Sequence, residues 1–380
     1  MMLRVSPFFL SFLVALAGIP FRGSDARAQE STSPKNQVLE SRGEDSTALD
    51  SSELYRQAVA RFQGPSTIHR IESLDSSLKQ WNSPDVTVEN AVVLDWNDKD
   101  LIVVRRDSLD KVVLPSPNVV RIEPKWENDL AATLHADFMA GRFADAIAKG
   151  GRLLGQKSEQ PGTPRWQQRV LIAELVECSI AMNRWERACL LYAALAKDQP
   201  PPLLLTAMPI PWTATSAEIK DRAKVQELAV GWLEDARPPL QLMGAAWLLD
   251  SDRRDEAVRT LQRLSQSPDK SVLGNYAAAQ LWKTYAPKEL SAERLGQWTG
   301  LRDSMPLPFQ AGPTFLMAEK LLRSGDSPRA LEEFLRVGIL HPEKPYLAKP
   351  ALAQAQQLVQ STNRSQDAER IQDLSRKLGP

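Results

Sequence analysis

The stretch from Trp166 to Pro200 places the strongest constraint on the fold of this chain. Its apolar residues recur every three or four positions, which predicts two antiparallel helices joined by a tight turn at Asn183-Arg184. A hairpin with two apolar faces needs similar hairpins on both sides to bury them, so the sequence predicts an α-solenoid. The two apolar stripes consist of Val170, Leu171, Leu175, Cys178 and Met182, then Trp185, Ala188, Tyr192 and Leu195.

Three further segments repeat parts of this hairpin's pattern. An alanine in the second helix is followed four residues later by an aromatic residue, with a glycine between the helices and a closing proline. Close packing explains the pattern: the alanine lets two backbones approach, the aromatic fills the gap to the next pair, and the proline ends the helix. The positions are Gly325, Ala330, Phe334 and Pro342; Trp185, Ala188, Tyr192 and Pro200, with Asn183 for glycine; Gly141, Phe143 and Ala146, with Gly150 for the aromatic; and Ala257, with Leu261 for the aromatic.

This pattern resembles the tetratricopeptide repeat. From Ala146 the matching alanines follow after 42, 69, 73 and 38 residues, so two intervals fit one repeat and two fit a double repeat. Residues 216–235 and 270–303 are expected to supply the hidden helices, and the second range contains a helix similar to the HEAT type. The predicted fold is therefore mainly α, a right-handed α-solenoid of about six helix pairs within residues 127–380. Its last helix, at residues 365–378, is polar and suits a solvent-facing cap.

Residues 67–126 change from a helical to a strand-like period. Short β-branched runs predict five strands, and five short strands suit a small closed barrel. The ending VLPSPNVVRIE resembles the last two strands of SH3-like and Sm-like barrels, with an open, bent meander as the alternative. Together with a short helix predicted near Tyr55, this module spans residues 53–126 and either covers the end of the solenoid or offers a peptide-binding groove. The predicted strands are 68–74, 86–96, 100–106, 111–115 and 118–124.

The first 28 residues have the layout of a secretory signal peptide. Arg4 precedes an apolar run from Phe8 to Pro20, and Ala26-Arg27-Ala28 supplies the small residues of a cleavage site. As a helix this run covers about 20 Å, too little for a hydrocarbon core of about 30 Å. We expect cleavage after Ala28, a periplasmic or secreted protein with no membrane span, and a disordered polar leader at residues 29–52.

Charge and motifs exclude several classes of function. Cleavage after Ala28 leaves 44 basic and 46 acidic side chains, a formal charge of −2, so counterion release cannot drive binding to nucleic acid. The three histidines, His69, His135 and His341, lack the spacing of a zinc site. No nucleophile elbow, glycine-rich phosphate loop or calcium loop occurs in the sequence. We expect no enzyme activity, no metal site and no cofactor.

A proline-rich segment interrupts the predicted helices at residues 199–213. Its sequence, QPPPLLLTAMPIPWT, holds five prolines among apolar side chains, which predicts an extended chain. A loop of this length in a compact array is either functional or a packed connector. We expect it to pack along its own solenoid or to line a ligand groove.

The only two cysteines, Cys178 and Cys189, lie equally far from the predicted turn of the central hairpin. Antiparallel packing places them at the same height on facing helices. An oxidising compartment permits a disulfide between them, provided that their Cβ atoms converge. Two packed free thiols are the alternative.

These features favour a binding function over catalysis. Proteins with this resemblance present helical surfaces to extended peptides or partner domains, so we expect an exported scaffold with a protein or peptide partner. The competing hypothesis is an envelope enzyme, or a protein that binds carbohydrate or peptidoglycan, with the β module or a groove as its site.

Overall fold

The computed structural model describes most of the chain beyond the predicted leader. The signal peptide and the polar leader lie outside the described residues, as does the short helix near Tyr55 apart from Arg56, which is helical. The described residues are 56, 68–74, 86–126, 128–155, 163–213, 219–267, 271–362 and 364–378.

Helices follow one another from Asp129 to Lys377, and strands occur only before them among the described residues. The α-helices are α1 (Asp129–Met139), α2 (Phe143–Gly155), α3 (Arg165–Ala181), α4 (Trp185–Ala196), α5 (Arg222–Leu233), α6 (Pro238–Leu248), α7 (Arg254–Ser265), α8 (Val272–Leu281), α9 (Ala292–Asp303), α10 (Ala311–Arg323), α11 (Ser327–Leu340), α12 (Pro345–Ser361) and α13 (Ser365–Lys377).

Consecutive helices pack against each other along the array. In chain order they form the pairs α1–α2, α3–α4, α6–α7, α8–α9, α10–α11 and α12–α13, while α5 lies between the second and third pairs and packs on α6. The fourth pair is loose, because α8 packs mainly on α7 and α9 makes few contacts with α8 or α10. The structure therefore confirms the mainly helical fold with consecutive helix packing. Four alanines of the pattern fall in second helices, and each of them is fully buried: Ala146, Ala188, Ala257 and Ala330.

Three of the pairs turn in the same way. Gly141, Asn183 and Gly325 have left-handed backbones, with φ of 72°, 54° and 88°. In each turn the next residue donates its N–H to the carbonyl five positions earlier, at Asp137, Ser179 and Leu321 respectively. This is the Schellman ending of a helix, which favours glycine and tolerates asparagine. Asn183 thus occupies the position that the repeat pattern gives to glycine.

Gly150 stands where the repeat pattern calls for an aromatic residue in the second helix of a pair. A side chain of the next helix fills the space that this aromatic would take. A Cβ built on Gly150 meets the side chain of Leu175 at 2.5 Å, so α3 already occupies the space that Tyr192 and Phe334 occupy in their own pairs. Tyr192 and Phe334 are themselves fully buried. The sequence departs from the pattern here because a residue of the next helix compensates.

The strands form one antiparallel sheet in the order β4-β3-β2-β1-β5, and this sheet is not closed into a barrel. The prediction of a closed barrel is therefore wrong, although the strand positions agree closely with those predicted. The strands are β1 (His69–Leu74), β2 (Val86–Trp96), β3 (Asp100–Arg105), β4 (Lys111–Pro115) and β5 (Val119–Glu123).

The sheet is nevertheless strongly curled. Only the 3-10 turn Ser116–Asn118 connects β4 to β5, yet these strands are the opposite edges of the sheet. Five flat strands place their edges about 19 Å apart, whereas so short a connection reaches about 14 Å. Curling brings the edges close without a ladder between them, which explains why a barrel was expected.

The sheet packs on the first turns of α3. His69 contacts Trp166 edge to face, with ring centroids 4.9 Å apart. The buried Arg169 donates to the carbonyl of Trp96 at 2.5 Å and to the carboxylate of Asp198 at 2.8 Å. Gln167 donates to the carbonyl of Lys125 at 3.1 Å. Polar residues of α3 thus join the sheet to the helices.

Candidate functional site

The connector, defined here as residues 199–213, is partly helical. Pro202–Ala207 forms a 3-10 helix, and only Met208–Thr213 runs extended, so the prediction of a wholly extended segment is wrong for its first half. A proline at the first position of a helix loses no hydrogen bond, because that N–H has no partner inside the helix. The apolar side chains at Leu204, Met208 and Trp212 are buried, as their composition requires.

The connector lies along the first helices of the pairs. Its 3-10 helix packs on α3, and its extended half reaches α6 through Trp247, α8 through Tyr276 and α10 through Gly312. We call the surface that these first helices present to the connector the inner channel. The expectation that the connector packs along its own solenoid is correct, and its extended end also lines a cleft, described below.

Side chains of the inner channel bind the carbonyl groups of the connector. Trp247 donates its indole N–H to the carbonyl of Pro209 at 2.8 Å. Gln280 donates to the carbonyl of Pro211 at 3.5 Å, and the Nζ of Lys283 donates to the same oxygen. Because proline has no N–H, residues 209 and 211 add no buried donor that needs a partner.

Trp212 anchors the extended half of the connector. Its buried ring lies 5.0 Å from that of Tyr276, and Tyr276 in turn contacts Phe309 at 6.0 Å. A Cβ built on Gly312 meets the indole at 2.1 Å, so α10 accommodates this tryptophan only because it carries glycine there. Buried aromatic rings in edge contact stabilise by about 0.5–1.5 kcal/mol beyond their area.

A buried ion pair connects distant parts of the array. Lys344, just before α12, donates its Nζ to Glu177 on α3 and to the carbonyl of Thr206 at 3.2 Å in the connector. Burial raises the pKa of Glu177, and the ammonium group of Lys344 opposes that shift. Removing one member of such a pair leaves an uncompensated buried charge, which is strongly destabilising. This pair therefore holds the start of α12 against α3 across the connector.

Two lysines meet near the end of α8. Lys320 donates to the carbonyls of Lys283 at 3.0 Å and Tyr285 at 2.7 Å. Burial lowers the pKa of Lys283 to about 7, while Asp250 and Glu319 oppose that shift and Lys320 adds to it. Burial also lowers the pKa of Lys320. The ammonium group that binds the connector at Pro211 thus titrates near neutral pH.

A cleft of about 480 Å³ opens where the second helix pair, the connector and α12 meet. We call it the aromatic cleft. Pockets of this size bind small ligands or the side chains of a partner. Its lining consists of Phe143, Ile180, Ala181, Asn183, Trp185, Ile210, Pro211, Trp212, Thr213, Ile219, Pro345, Tyr346, Leu347, Lys349 and Pro350.

Among the described residues, the lining of the aromatic cleft is largely apolar and includes one cation, Lys349. Trp185 is half-buried and meets Trp247 edge to face at 5.4 Å. Pro350 lies inside α12 and has no N–H to donate to the carbonyl of Tyr346, where a regular helix would have that bond. The cleft therefore combines aromatic rings with prolines.

The repeat-pattern residues divide between core and cleft. Most of them are buried, whereas Pro342 is exposed after α11. The buried ones are Ala146, Ala188, Tyr192, Ala257, Ala330, Phe334 and Pro200. Phe143 and Trp185 line the cleft, and Gly141 and Gly325 serve the turns. Sequence reasoning missed Tyr346, Pro345 and Pro350. Their only signal was the unusual placement of prolines within a helical pattern.

Both cysteines are free and buried. Cys178 packs in the cluster that joins α3 to the first helix pair, whereas Cys189 packs in the main core and its thiol lies 3.7 Å from the carbonyl of Pro209. Burial raises the pKa of both thiols. They act here as small apolar residues.

Two wider searches of the described ranges gave no further site. No group of three His, Cys, Asp or Glu side chains there is arranged to hold a metal ion. No helix in the same ranges has both the length and the apolar character that crossing a membrane requires.

The architecture defines the class of protein: a helical-repeat protein that carries a small antiparallel sheet. No known family model matches the sequence, and no curated protein matches it. The resemblance to tetratricopeptide repeats therefore rests on the residues, the turns and the helix pairs given above.

Proposed function

We propose that this protein is an exported, non-enzymatic scaffold of the tetratricopeptide type that binds a protein partner in the aromatic cleft. The observation that carries the proposal is the cleft lining, in which Trp185, Trp212 and Tyr346 accompany prolines. Rigid aromatic rings are enriched among the residues that dominate protein binding energy.

Site-specific photo-crosslinking tests the proposal. A benzophenone amino acid at Tyr346, within the cleft, is expected to form an adduct with one polypeptide in an extract of cells that make the protein. The same label at Ile339, which is 52% exposed on α11 and does not line the cleft, is the matched control. Adducts of equal yield at both positions contradict a specific cleft.

The captured polypeptide is then purified and titrated against the protein. Trp185→Ser and Lys349→Glu are expected to weaken binding at least about tenfold, which corresponds to roughly 1.4 kcal/mol. Trp232→Ser, a substitution on α5 outside the cleft, is expected to leave the affinity unchanged. An adduct that carries glycan without polypeptide supports the competing hypothesis of an envelope carbohydrate-binding protein and contradicts the scaffold.

Export is a separate part of the proposal. It rests on Arg4, the apolar run and Ala26-Arg27-Ala28. Amino-terminal sequencing of the mature protein is expected to begin at Gln29. A mature chain that begins at Met1, or retention in the cytoplasm, contradicts it.

A further inference from the structure

The inner channel holds the connector as a groove holds a peptide. The carbonyls of Pro209 and Pro211, both in the extended half, accept hydrogen bonds from side chains elsewhere in the array. The donors are Trp247 on α6, Gln280 on α8 and Lys283 just after α8. Side-chain donors that meet backbone acceptors of an extended segment are a recurring means of peptide recognition.

The prolines complete this chemical match. The groups that meet these carbonyls, on Trp247, Gln280 and Lys283, donate to them, and a proline at residues 209 and 211 adds no N–H that would need an acceptor. Proline removes that N–H and also limits the backbone freedom that is lost on binding. The only N–H between these two prolines, that of Ile210, donates to the carbonyl of Met208 at 2.8 Å within the connector itself.

Trp212 gives the bound segment an anchor. It fills the space between Tyr276 and Gly312, and glycine at position 312 is what leaves room for an indole. A buried aromatic in a fitted pocket is typical of the residues that dominate binding energy. The channel thus selects three features together: exposed carbonyls, prolines that alternate with other residues, and a tryptophan after the second proline.

We propose that the inner channel is a binding groove for a proline-rich, extended polypeptide of the Pro-x-Pro-Trp kind, and that Met208–Trp212 of the connector occupies it in cis. A partner with such a segment binds by displacing this part of the connector. Ile210, Pro211 and Trp212 of this segment also line the aromatic cleft, so displacement removes one wall of that cleft. The inference concerns the surface beneath the connector and does not require a partner in the cleft.

Displacement in trans is measured with a synthetic peptide. The probe is a fluorescein-labelled, end-blocked peptide with the sequence of residues 207–213, AMPIPWT, added to the full mature chain. Wild type is expected to bind it weakly, because the connector competes at a high local concentration. Trp212→Ala empties the anchor pocket and is expected to bind the peptide at least about tenfold more tightly. Fluorescence anisotropy gives both affinities.

The pocket itself supplies the specificity control. Adding Gly312→Leu to Trp212→Ala fills the anchor pocket and is expected to abolish the gain in affinity. Adding Gly296→Leu instead keeps it, because a Cβ on that exposed residue of α9 meets nothing within 4 Å. A peptide with alanine in place of both prolines is expected to bind at least about fivefold more weakly to Trp212→Ala, because two prolines limit the backbone freedom that the peptide loses on binding.

Folding is checked by the helical circular dichroism of each variant. If Trp212→Ala does not fold, Trp212→Phe retains a ring and is expected to give a smaller gain, of about threefold. A folded variant that binds the peptide no better than wild type overturns the proposal. Binding that is unaffected by Gly312→Leu and by the proline substitutions overturns it as well, because it shows adsorption elsewhere.

Discussion

The ends of the helical array and its middle are built differently. At the ends, the pairs α1–α2, α3–α4 and α10–α11 share one turn, with a left-handed residue at Gly141, Asn183 or Gly325. In the described residues of the middle, from Arg222 to Asp303, no residue has a left-handed backbone. The two regions follow the repeat pattern to very different degrees.

The middle compensates through the connector. Four residues of the region from α6 to the turn after α8 contact the connector: Trp247, Tyr276, Gln280 and Lys283. A regular pair needs only its neighbours, since stability in repeat arrays is nearly a sum of local terms. Where the helices depart from the repeat pattern, the connector, which lies outside the helix pairs, supplies the contacts that a regular pair would make with its neighbours.

The largest expected effect is a loss of stability that distinguishes the middle of the array from its ends. Trp212→Ala removes a buried aromatic from the connector and is expected to lower the free energy of unfolding by about 3–5 kcal/mol, measured by urea denaturation. Phe334→Ala, in the regular pair α10–α11, is the control with a similar cost. Hydrogen exchange distinguishes them: the first is expected to expose amides of α6 and α8, the second those of α11 and α12. A loss below about 1 kcal/mol for Trp212→Ala contradicts the role of the connector.

Gly150→Phe tests whether regular pairs are interchangeable. It restores the aromatic of the repeat pattern, yet we expect it to destabilise by about 1–3 kcal/mol, because Leu175 already fills that space. Gly151→Phe is the matched control, since nothing lies within 4 Å of a Cβ there. Thermal unfolding of both variants provides the measurement. A stabilised Gly150→Phe shows that the pattern outweighs the observed packing.

The pH dependence of stability tests the buried amine of Lys283 in the middle. The folded pKa of Lys283, about 7, lies below its usual value of 10.5, so this group binds more protons in the unfolded chain between these values. The contribution of Lys283 to stability is therefore expected to rise with pH across this window, by at most about 1.4 kcal/mol per pH unit, and to be flat below about pH 7. The buried thiols of Cys178 and Cys189 have a raised pKa and contribute in the opposite direction above their usual value of 9.0, so the slopes are compared between pH 7 and 9. Lys283→Met is expected to lose this slope in urea titrations. Identical slopes for wild type and variant refute a buried amine at this position.

The smallest effects concern the turns at the ends. Gly325→Ala introduces a Cβ at φ 88° and is expected to cost about 1 kcal/mol. Asn183→Gly is expected to change stability by less than about 0.5 kcal/mol, because both residues tolerate the left-handed region. Gly296→Ala in α9 has the opposite expected sign, a gain of about 0.5–1 kcal/mol, because it lies in an exposed helix. Equal effects at positions 325 and 296 contradict the assignment of the turn.

Local sequence determined the parts of this protein that depend on neighbours along the chain. Spacing of three and four predicted the helices, alternation predicted the strands within one residue, and Asn183 was identified at a glycine position that the backbone confirms. These features follow from sterics and from burial of one face, which a short window of sequence contains.

Only the tertiary structure decided where the connector lies, how the sheet ends and where a cleft opens. Lys344 and Glu177 are 167 residues apart, and their contact depends on how the small rotations of successive pairs accumulate along the array. The same accumulation places Gly312 beneath Trp212 and brings Tyr346 to Trp185. No single segment encodes that sum. The repeats could therefore be predicted from the sequence, whereas the inner channel and the aromatic cleft, which we propose as binding surfaces, could be identified only from the tertiary structure.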